Sequence, residues 1–239
     1  MTLTMTPSMI AIDGPVASGK TSIGKRLADE LGYLFFDTGV MYRAVTFLAL
    51  RYLGSAHDAA AVAELAARAN IDVRPPTVAD GRDSTVVAVV AAPDGVTPVE
   101  EDITWAIRGG EVEGSVSLVA AIGAVRQTLT EQMRRVGRRG RVVMVGRDVG
   151  TVILPEADLK VFLTASVETR AQRRYEEILA RGEDRNHADI LANLRERDRI
   201  DSSRAIAPLR AAADAVMLDT SDLTIDEVLA AIHDLVAVR

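Results

Sequence analysis

The chain has no cysteine, three histidines, and only one tryptophan, four tyrosines and four phenylalanines in 239 residues. Without cysteine it has neither disulfides nor a thiolate metal site, which fits a reducing cytoplasm. His57, His187 and His233 stand apart, with neither metal-ligand spacing nor a paired nucleophile, so they read as incidental. Trp105 and the scattered tyrosines are better explained by packing than as a stacking platform. No apolar run approaches the length of a membrane span. The first eight residues lack the basic-then-apolar pattern of a signal peptide, so Met1 to Ser8 read as a loose tail, with Met5 or Met9 as alternative starts. A net charge of −6 disfavours a general nucleic-acid surface, which needs a cationic face. There are no repeats, no low-complexity segments and no long exposed apolar stripe. The expectation is a cytosolic monomer that binds neither membrane nor nucleic acid. With 48% hydrophobic and 26% charged residues, the chain suits one sizeable α/β domain with insertions.

What the chain does have is Gly14-Pro15-Val16-Ala17-Ser18-Gly19-Lys20-Thr21, which fits the phosphate-binding pattern G-x-x-x-x-G-K-[ST]. Met9-Ile10-Ala11-Ile12 before it reads as a buried strand. After it, Ile23, Leu27 and Leu31 recur at helical spacing and Gly32 gives the stop. Strand, glycine loop and helix form the context the motif needs. Successive backbone N–H groups of the loop, helped by the positive helix end, can surround a phosphate. Lys20 can reach terminal phosphates, and the Thr21 hydroxyl can hold Mg²⁺.

The rest of the pattern alternates. Tyr33 to Phe36 predicts a second strand ending at Asp37-Thr38-Gly39, followed by a helix with Met41, Ala44, Val45, Leu48 and Tyr52 on one face and Gly54 ending it. Residues 58–70 are in helical register through Val62, Leu65 and Ala69. From Ile71 to about Pro98, β-branched runs, four prolines and the dipeptides Asp80-Gly81 and Asp94-Gly95 predict a hairpin-like insertion. Helical periodicity returns from Ile103 to Val136, with Leu118, Ile122, Val125, Leu129 and Met133 in register. Arg141–Val145 and Leu159–Leu163 are further core strands. An arginine-rich helix starts near Val167, a polar break spans Arg181 to Asn186, and a charged helix carries Arg195 to Arg199. Val216–Leu218 is a last strand, and a closing helix over 225–236 sets Ile225, Val228, Leu229, Ile232 and Leu235 on one face. Short apolar strands alternating with helices imply a parallel sheet flanked by helices, with ligands at the carboxyl ends of its strands.

Two charged clusters follow strand ends: Asp37-Thr38-Gly39 with Tyr42-Arg43, and Gly146-Arg147-Asp148. Two more lie in polar helices, the arginines of 170–185 and Glu196-Arg197-Asp198 with Asp201 and Arg204. Phosphoryl transfer needs several fixed cations, and arginine can hold two phosphate oxygens at once. Arg147-Asp148, after a buried strand, favours function. Arg134, Arg135, Arg138 and Arg139 suit a solvated helix end, and Arg195 and Arg199 suit surface pairs with local carboxylates. Arg170, Arg173 and Arg174 are open between an exposed face and a functional one.

In this order the clusters resemble the bacterial cytidylate kinases, nucleoside-monophosphate kinases that phosphorylate CMP and dCMP from ATP. The resemblance is carried by Ile12-Asp13-Gly14-Pro15, by Asp37-Thr38-Gly39-Val40-Met41-Tyr42-Arg43-Ala44-Val45-Thr46 and by Gly146-Arg147-Asp148-Val149-Gly150-Thr151-Val152. It continues through Lys160 to Ser166, Glu196-Arg197-Asp198, Asp201-Ser202, Arg204, Ala207-Pro208-Leu209, Asp219-Thr220-Ser221 and Leu223 to Glu227. It covers nearly the whole chain from Met9.

The resemblance implies a P-loop NTPase fold for residues 9–239, one kinase domain after a tail over 1–8. It implies a monophosphate-binding insertion over 38–126 and a lid loop over 181–187. Gly14, Pro15, Val16, Ala17, Ser18, Gly19, Lys20, Thr21 and Ser22 would hold ATP, with Mg²⁺ at Thr21. Arg43, Arg147 and Arg204 would clamp the acceptor phosphate, and Lys20, Arg147 and Arg204 would be the catalytic cations. Ser117, Arg126 and Asp148 would face the cytosine, Arg197 and Asp201 the sugar, and Thr38 and Tyr42 would complete the acceptor site. Ala17, where many relatives have glycine or serine, the stretch Arg82 to Pro98, and Trp105 depart from the pattern. The reaction expected is direct in-line transfer without a general base, the acceptor being anionic already. The rival readings are a kinase of UMP or of a non-nucleotide metabolite, a nucleotide-dependent switch with a protein partner, and a nucleic-acid or structural module.

Overall fold

Strand β1, Met9–Asp13, is apolar on both faces because it lies between two other strands and under helices; Ile10, Ala11 and Ile12 are fully buried. That is the pattern of a parallel sheet covered on both sides. The computed structural model describes residues 6–91, 99–180, 182–204 and 206–238, and the chain divides into two compact units, 1–33 with 141–239 and 34–140.

In the first unit, β1 runs parallel to β6 (Val142–Gly146) and β7 (Leu159–Thr164), and β7 runs parallel to β8 (Val216–Asp219), giving the order β6-β1-β7-β8. Helix α1, Lys20–Leu31, ends at Gly32 in the left-handed region (φ 65°), where glycine carries no Cβ penalty. α1 packs on β6 and on the closing helix α8, Ile225–Ala237. Between β7 and β8 stand α6 (Val167–Ala180) and α7 (His187–Ser203), packed on each other through Ala171, Ile178, Ile190 and Leu194. The polar residues 182–186 between them carry no helix or strand, as their composition predicts. Arg181 lies outside the described residues.

The second unit holds β2 (Leu34–Asp37), α2 (Gly39–Leu53), α3 (Ala59–Arg68), β3 (Ala69–Arg74), β4 (Thr85–Val90), β5 (Glu101–Asp102), α4 (Gly110–Ala121) and α5 (Gly123–Gly137). Strands β3 and β4 form the expected antiparallel hairpin, with Asp80-Gly81 in its connection, and β5 adds a short third strand. The Asp94-Gly95 turn lies outside the described residues.

Four expectations need correction. The single helical register from Ile103 to Val136 is broken: a 3₁₀ turn at Ala106–Arg108 precedes α4, and Ile122 (φ −76°, ψ 112°) separates α4 from α5. Gly123 follows the break, and Leu118, placed on the buried face by spacing, is 45% exposed. Tyr52 and Ile225, also assigned to buried faces, are exposed at helix ends, where a periodic stripe runs past the surface it covers. Trp105 is half exposed rather than packed: its indole N–H donates to Asp80 at 2.9 Å, and the Arg108 guanidinium lies 5.0 Å from its ring.

α8 opens with a complete capping box, Thr224 Oγ1 accepting from the Glu227 N–H while the Glu227 carboxylate accepts from the Thr224 N–H. Thr224→Ala is expected to cost about 1 kcal/mol, read as a lower urea midpoint with an unchanged m-value.

Candidate active site

The parallel register sets Asp13 opposite Gly146 on one side and Phe162 on the other. The segments after β1, β6 and β7 therefore leave the sheet side by side, at the strand carboxyl ends where open α/β sheets bind ligands. The glycine loop follows β1. A Cβ on Gly14 would lie 2.1 Å from the Leu163 carbonyl oxygen and 2.9 Å from Ser18 Oγ, so no other residue fits there. Gly19, at φ 87°, precedes α1 and offers no side-chain cap, leaving first-turn N–H groups for an anion. Lys20 is 7% exposed and donates from Nζ to the Pro15 carbonyl at 2.6 Å, folded back over its own loop. Ala17 is left-handed at φ 59°, a strain of roughly 1–2 kcal/mol for a residue with a Cβ.

Thr21 and Ser22 are exposed in the first turn of α1. Among the described residues no three acidic or histidine side chains cluster as a metal cage. A single exposed hydroxyl oxygen beside a phosphate loop suits Mg²⁺, which keeps most of its ligands as water and phosphate oxygen.

After β6, the Arg147 and Asp148 pair leads into one π turn, Val149–Ile153, a geometry frequent at functional sites. Arg147 Nε donates to Asp201 Oδ2 at 2.9 Å, and Arg204 lies 2.5 Å from Asp201 Oδ1. Asp201 is 2% exposed, so one buried carboxylate, with both oxygens engaged, holds two arginines from distant parts of the chain. Arg197 stands one turn before Asp201 on α7. Loss of hydration, with the Arg147 cation next in weight, draws its pKa below the usual arginine value against the pull of Asp201, and Arg204 and Arg174 add to the effect. Three cations crowding one carboxylate form a field suited to an anion. Asp148 is buried.

The second unit carries the other predicted acceptor residues. Thr38 is buried at the start of α2, where the Asp37 carboxylate accepts the Gly39 N–H at 2.8 Å. Tyr42 and the half-buried Arg43 follow on α2. Arg126, 8% exposed on α5, has its guanidinium 5.4 Å from the centre of the Tyr42 ring, an attraction between cation and π face. Ser117 is exposed on α4.

Residues outside the predicted set also shape the first unit's site. Arg170 is 4% exposed; it donates to the carbonyls of Ala165 (3.0 Å) and Val16 (3.1 Å) and forks onto Asp198 at 3.1 and 2.6 Å. It ties the phosphate loop to α7, a bracing role that settles the alternative left open for it. Arg173 binds the Thr220 hydroxyl and carbonyl, whereas Arg174 pairs with Glu177 on the surface. Arg195 and Arg199 pair with Glu168 and Glu196, as expected of surface arginines. Arg135 and Arg139 are not simply solvated; they reach Asn70, Ile71 and Asp72 and fasten α5 to β3.

Asp13 carries the clearest electrostatic signature. It is 4% exposed, and its carboxylate accepts the Val149 N–H at 2.8 Å and the Gly150 N–H at 2.7 Å. Burial outweighs both bonds and, with the Asp148 charge adding and the Lys20 charge opposing, pushes its pKa up to about 6.

The family profile of cytidylate kinase matches residues 10–238. The chain belongs to the cytidylate kinase family. The family gives it the P-loop kinase fold and makes it a nucleotide-binding phosphotransferase. It is 49% identical to the cytidylate kinase of Herpetosiphon aurantiacus over 98% of this chain and 96% of the relative. It is 41% identical to that of Bacillus subtilis over 92% of each. In Synechococcus elongatus a bifunctional pantoate ligase/cytidylate kinase is 44% identical over 92% of this chain, which spans 40% of that protein. A solved structure of an uncharacterized protein from Eubacterium ventriosum shares the fold alone, at a TM-score of 0.51 and 12% identity, over 96% of this chain and 98% of the other.

Because the folded-state pKa of Asp13 lies above the unfolded value, its contribution to stability is full in acid and is lost as pH rises through about 6. Asp13→Asn removes this dependence. Between about pH 4.5 and 7.5 the variant's unfolding free energy should gain on the parent's by on the order of 2 kcal/mol, measured by urea titration at each pH. A difference independent of pH contradicts the assignment.

Proposed function

We propose that the chain transfers the γ-phosphoryl group of ATP to CMP and to dCMP, giving ADP and the corresponding diphosphate. An oxygen of the acceptor's phosphate attacks the γ-phosphorus in line, and the bond to the β–γ bridging oxygen breaks as ADP leaves. The observation that carries this reading is the first unit's own arrangement. An uncapped glycine loop with a buried lysine follows one strand, and the adjacent strand leads into an arginine that Asp201 holds beside Arg204. Membership of the family, with relatives named cytidylate kinase at 41–49% identity, supports the same donor and acceptor.

Little covalent work falls to the protein in such a transfer, so catalysis is positioning and charge stabilisation. Residues 14–22 hold the donor's phosphates through backbone N–H groups. Lys20, which reaches Pro15 in the free loop, turns to the migrating phosphoryl. Arg147 and Arg204 neutralise charge on the acceptor and transferring phosphates, and Arg43 is assigned to the acceptor phosphate. Thr21 would hold Mg²⁺, which would supply neutralisation of the donor's phosphate charge. Ser117, Arg126 and Asp148 are assigned to the cytosine, Arg197 and Asp201 to the sugar, and Thr38 and Tyr42 to the acceptor site. The compact unit over residues 34–140 supports the monophosphate-binding insertion over 38–126, which lies within it. The polar stretch 182–186 between α6 and α7 supports a lid over 181–187, which would keep water from the phosphoryl group. The acidic balance supports small-molecule partners and no nucleic acid.

An ADP-release assay with ATP, Mg²⁺ and each of CMP, dCMP, UMP and AMP tests this. Fast turnover confined to CMP and dCMP is expected. Fast turnover of UMP reassigns the acceptor, and no acceptor-dependent ADP from folded, ATP-binding protein overturns the reading in favour of a nucleotide-dependent switch. Lys20→Ala should lower kcat by several orders of magnitude with the fold intact, and near-normal turnover refutes its role. Arg204→Ala should lose on the order of 3 kcal/mol of transition-state stabilisation, about a hundredfold in kcat/KM.

A further inference from the structure

Asp13 is a buried charge to which the transfer described above assigns no task, and the inference drawn from it rests on the kinase reading. It is the last residue of β1, and the phosphate loop begins with the next residue. Its two oxygens take the first two amides of the π turn, Val149 at 2.8 Å and Gly150 at 2.7 Å. First-turn amides have no acceptor within their own helix and need one from outside. That turn follows Arg147 and Asp148 without an intervening residue. The fit is close: a Cβ on Gly150 would lie 3.4 Å from Asp13 Oδ2 and 3.2 Å from Lys160 Cδ.

The charged groups around it come from each neighbouring element: Lys20 from α1, Asp148 from the turn after β6, and Lys160 from β7. The Lys160 ammonium is already committed to Asp214 and to the Pro155 carbonyl. The Lys20 charge opposes the cost of burying Asp13 without offsetting it. A side chain with one acceptor oxygen, such as asparagine, would satisfy one amide and turn an NH₂ group toward the other. Only a carboxylate accepts from both, and at neutral pH it does so at a cost in stability. Such a cost at the root of a ligand loop is what a functional constraint sustains.

We propose that Asp13 is a positioning residue for phosphoryl transfer: by holding the Val149 and Gly150 amides it fixes the backbone that presents Arg147 and Asp148, at a set distance from the phosphate loop.

Two measurements test this on the full-length protein. The first follows the backbone amides of the ligand-free parent by ¹⁵N-resolved NMR from pH 7.5 to 5. The Val149 and Gly150 protons should shift upfield together with one midpoint near the Asp13 value of about 6, and the shift should vanish in Asp13→Asn. Amides that do not respond overturn the proposal without any variant having to fold. The second compares steady-state kinetics of the two enzymes. Asp13→Asn should lose roughly ten- to a hundredfold in kcat, the scale of a misplaced catalytic group, with KM for ATP within about twofold.

The acceptor's own phosphate titrates in the same range, so the informative quantity is the ratio of the two enzymes' kcat values. It should fall toward one as acid protonates Asp13 in the parent. A ratio constant with pH, or an unchanged kcat, assigns Asp13 a structural role only and overturns the proposal. If the parent turns over no monophosphate while the amides still titrate, the kinase reading fails, and the positioning role fails with it.

Discussion

The parallel pairing of β1 with β6 on one side and β7 on the other is the constraint on which the rest of the structure depends. Asp13 stands opposite Gly146 and Phe162. The glycine loop and the Arg147-Asp148 turn consequently leave the sheet at one level, and the stretch leading to α6 leaves beside them, two residues further along β7. The register is held by the continuous parallel pairing of Met9–Asp13 with Val142–Gly146 and of Ile10–Asp13 with Leu159–Phe162. The close contact between Gly14 and the Leu163 carbonyl and the Asp13 grip on the π turn then fasten the three segments to one another.

On that frame the first unit keeps unlike charge arrangements side by side. The phosphate loop is a site of backbone dipoles with one lysine. The neighbouring region is a site of side-chain cations organised by a buried anion, Asp201. A carboxylate that binds two arginines costs hydration but removes their freedom, so their geometry is set before an anion arrives. Arg170 repeats the device, braced against Asp198 while holding Val16 of the loop. Val16 also packs against the small apolar cluster between α6 and α7. Loop and helical hairpin are thus coupled by one polar and one apolar contact.

Most of the elements were legible from the order of residues. The strands, the hairpin of the insertion and the helix ends at Gly32 and Gly54 follow from apolar runs, turn residues and glycine stops, which act locally. The readings that failed did so where periodicity was extended past the surface that justifies it. Leu118 keeps the helical register of α5, yet the chain turns at Ile122 and the residue faces solvent. Trp105 has the size of a core residue but finds its partner in an exposed carboxylate, Asp80. The bracing arginines were the least legible part. Arg170, Arg173 and Arg174 are close neighbours in one helix, and spacing cannot tell a buried strut from a surface pair.

The sequence by itself determined the phosphate loop, the alternation of strands and helices and, through ordered motifs, the resemblance to a family, because each of these is written in residues close together along the chain. Only the tertiary structure decided that Asp201 joins Arg147 to Arg204, that Arg170 supports the loop and that Asp13 holds the turn after Asp148. These pairings span between 28 and 154 residues, apart from the one that links Asp201 to Arg204 across a single helical turn. Charge complementarity alone leaves many partners open to each residue. The choice among them is made by burial, which removes water as a competitor and leaves each ion with the partner the fold brings within reach.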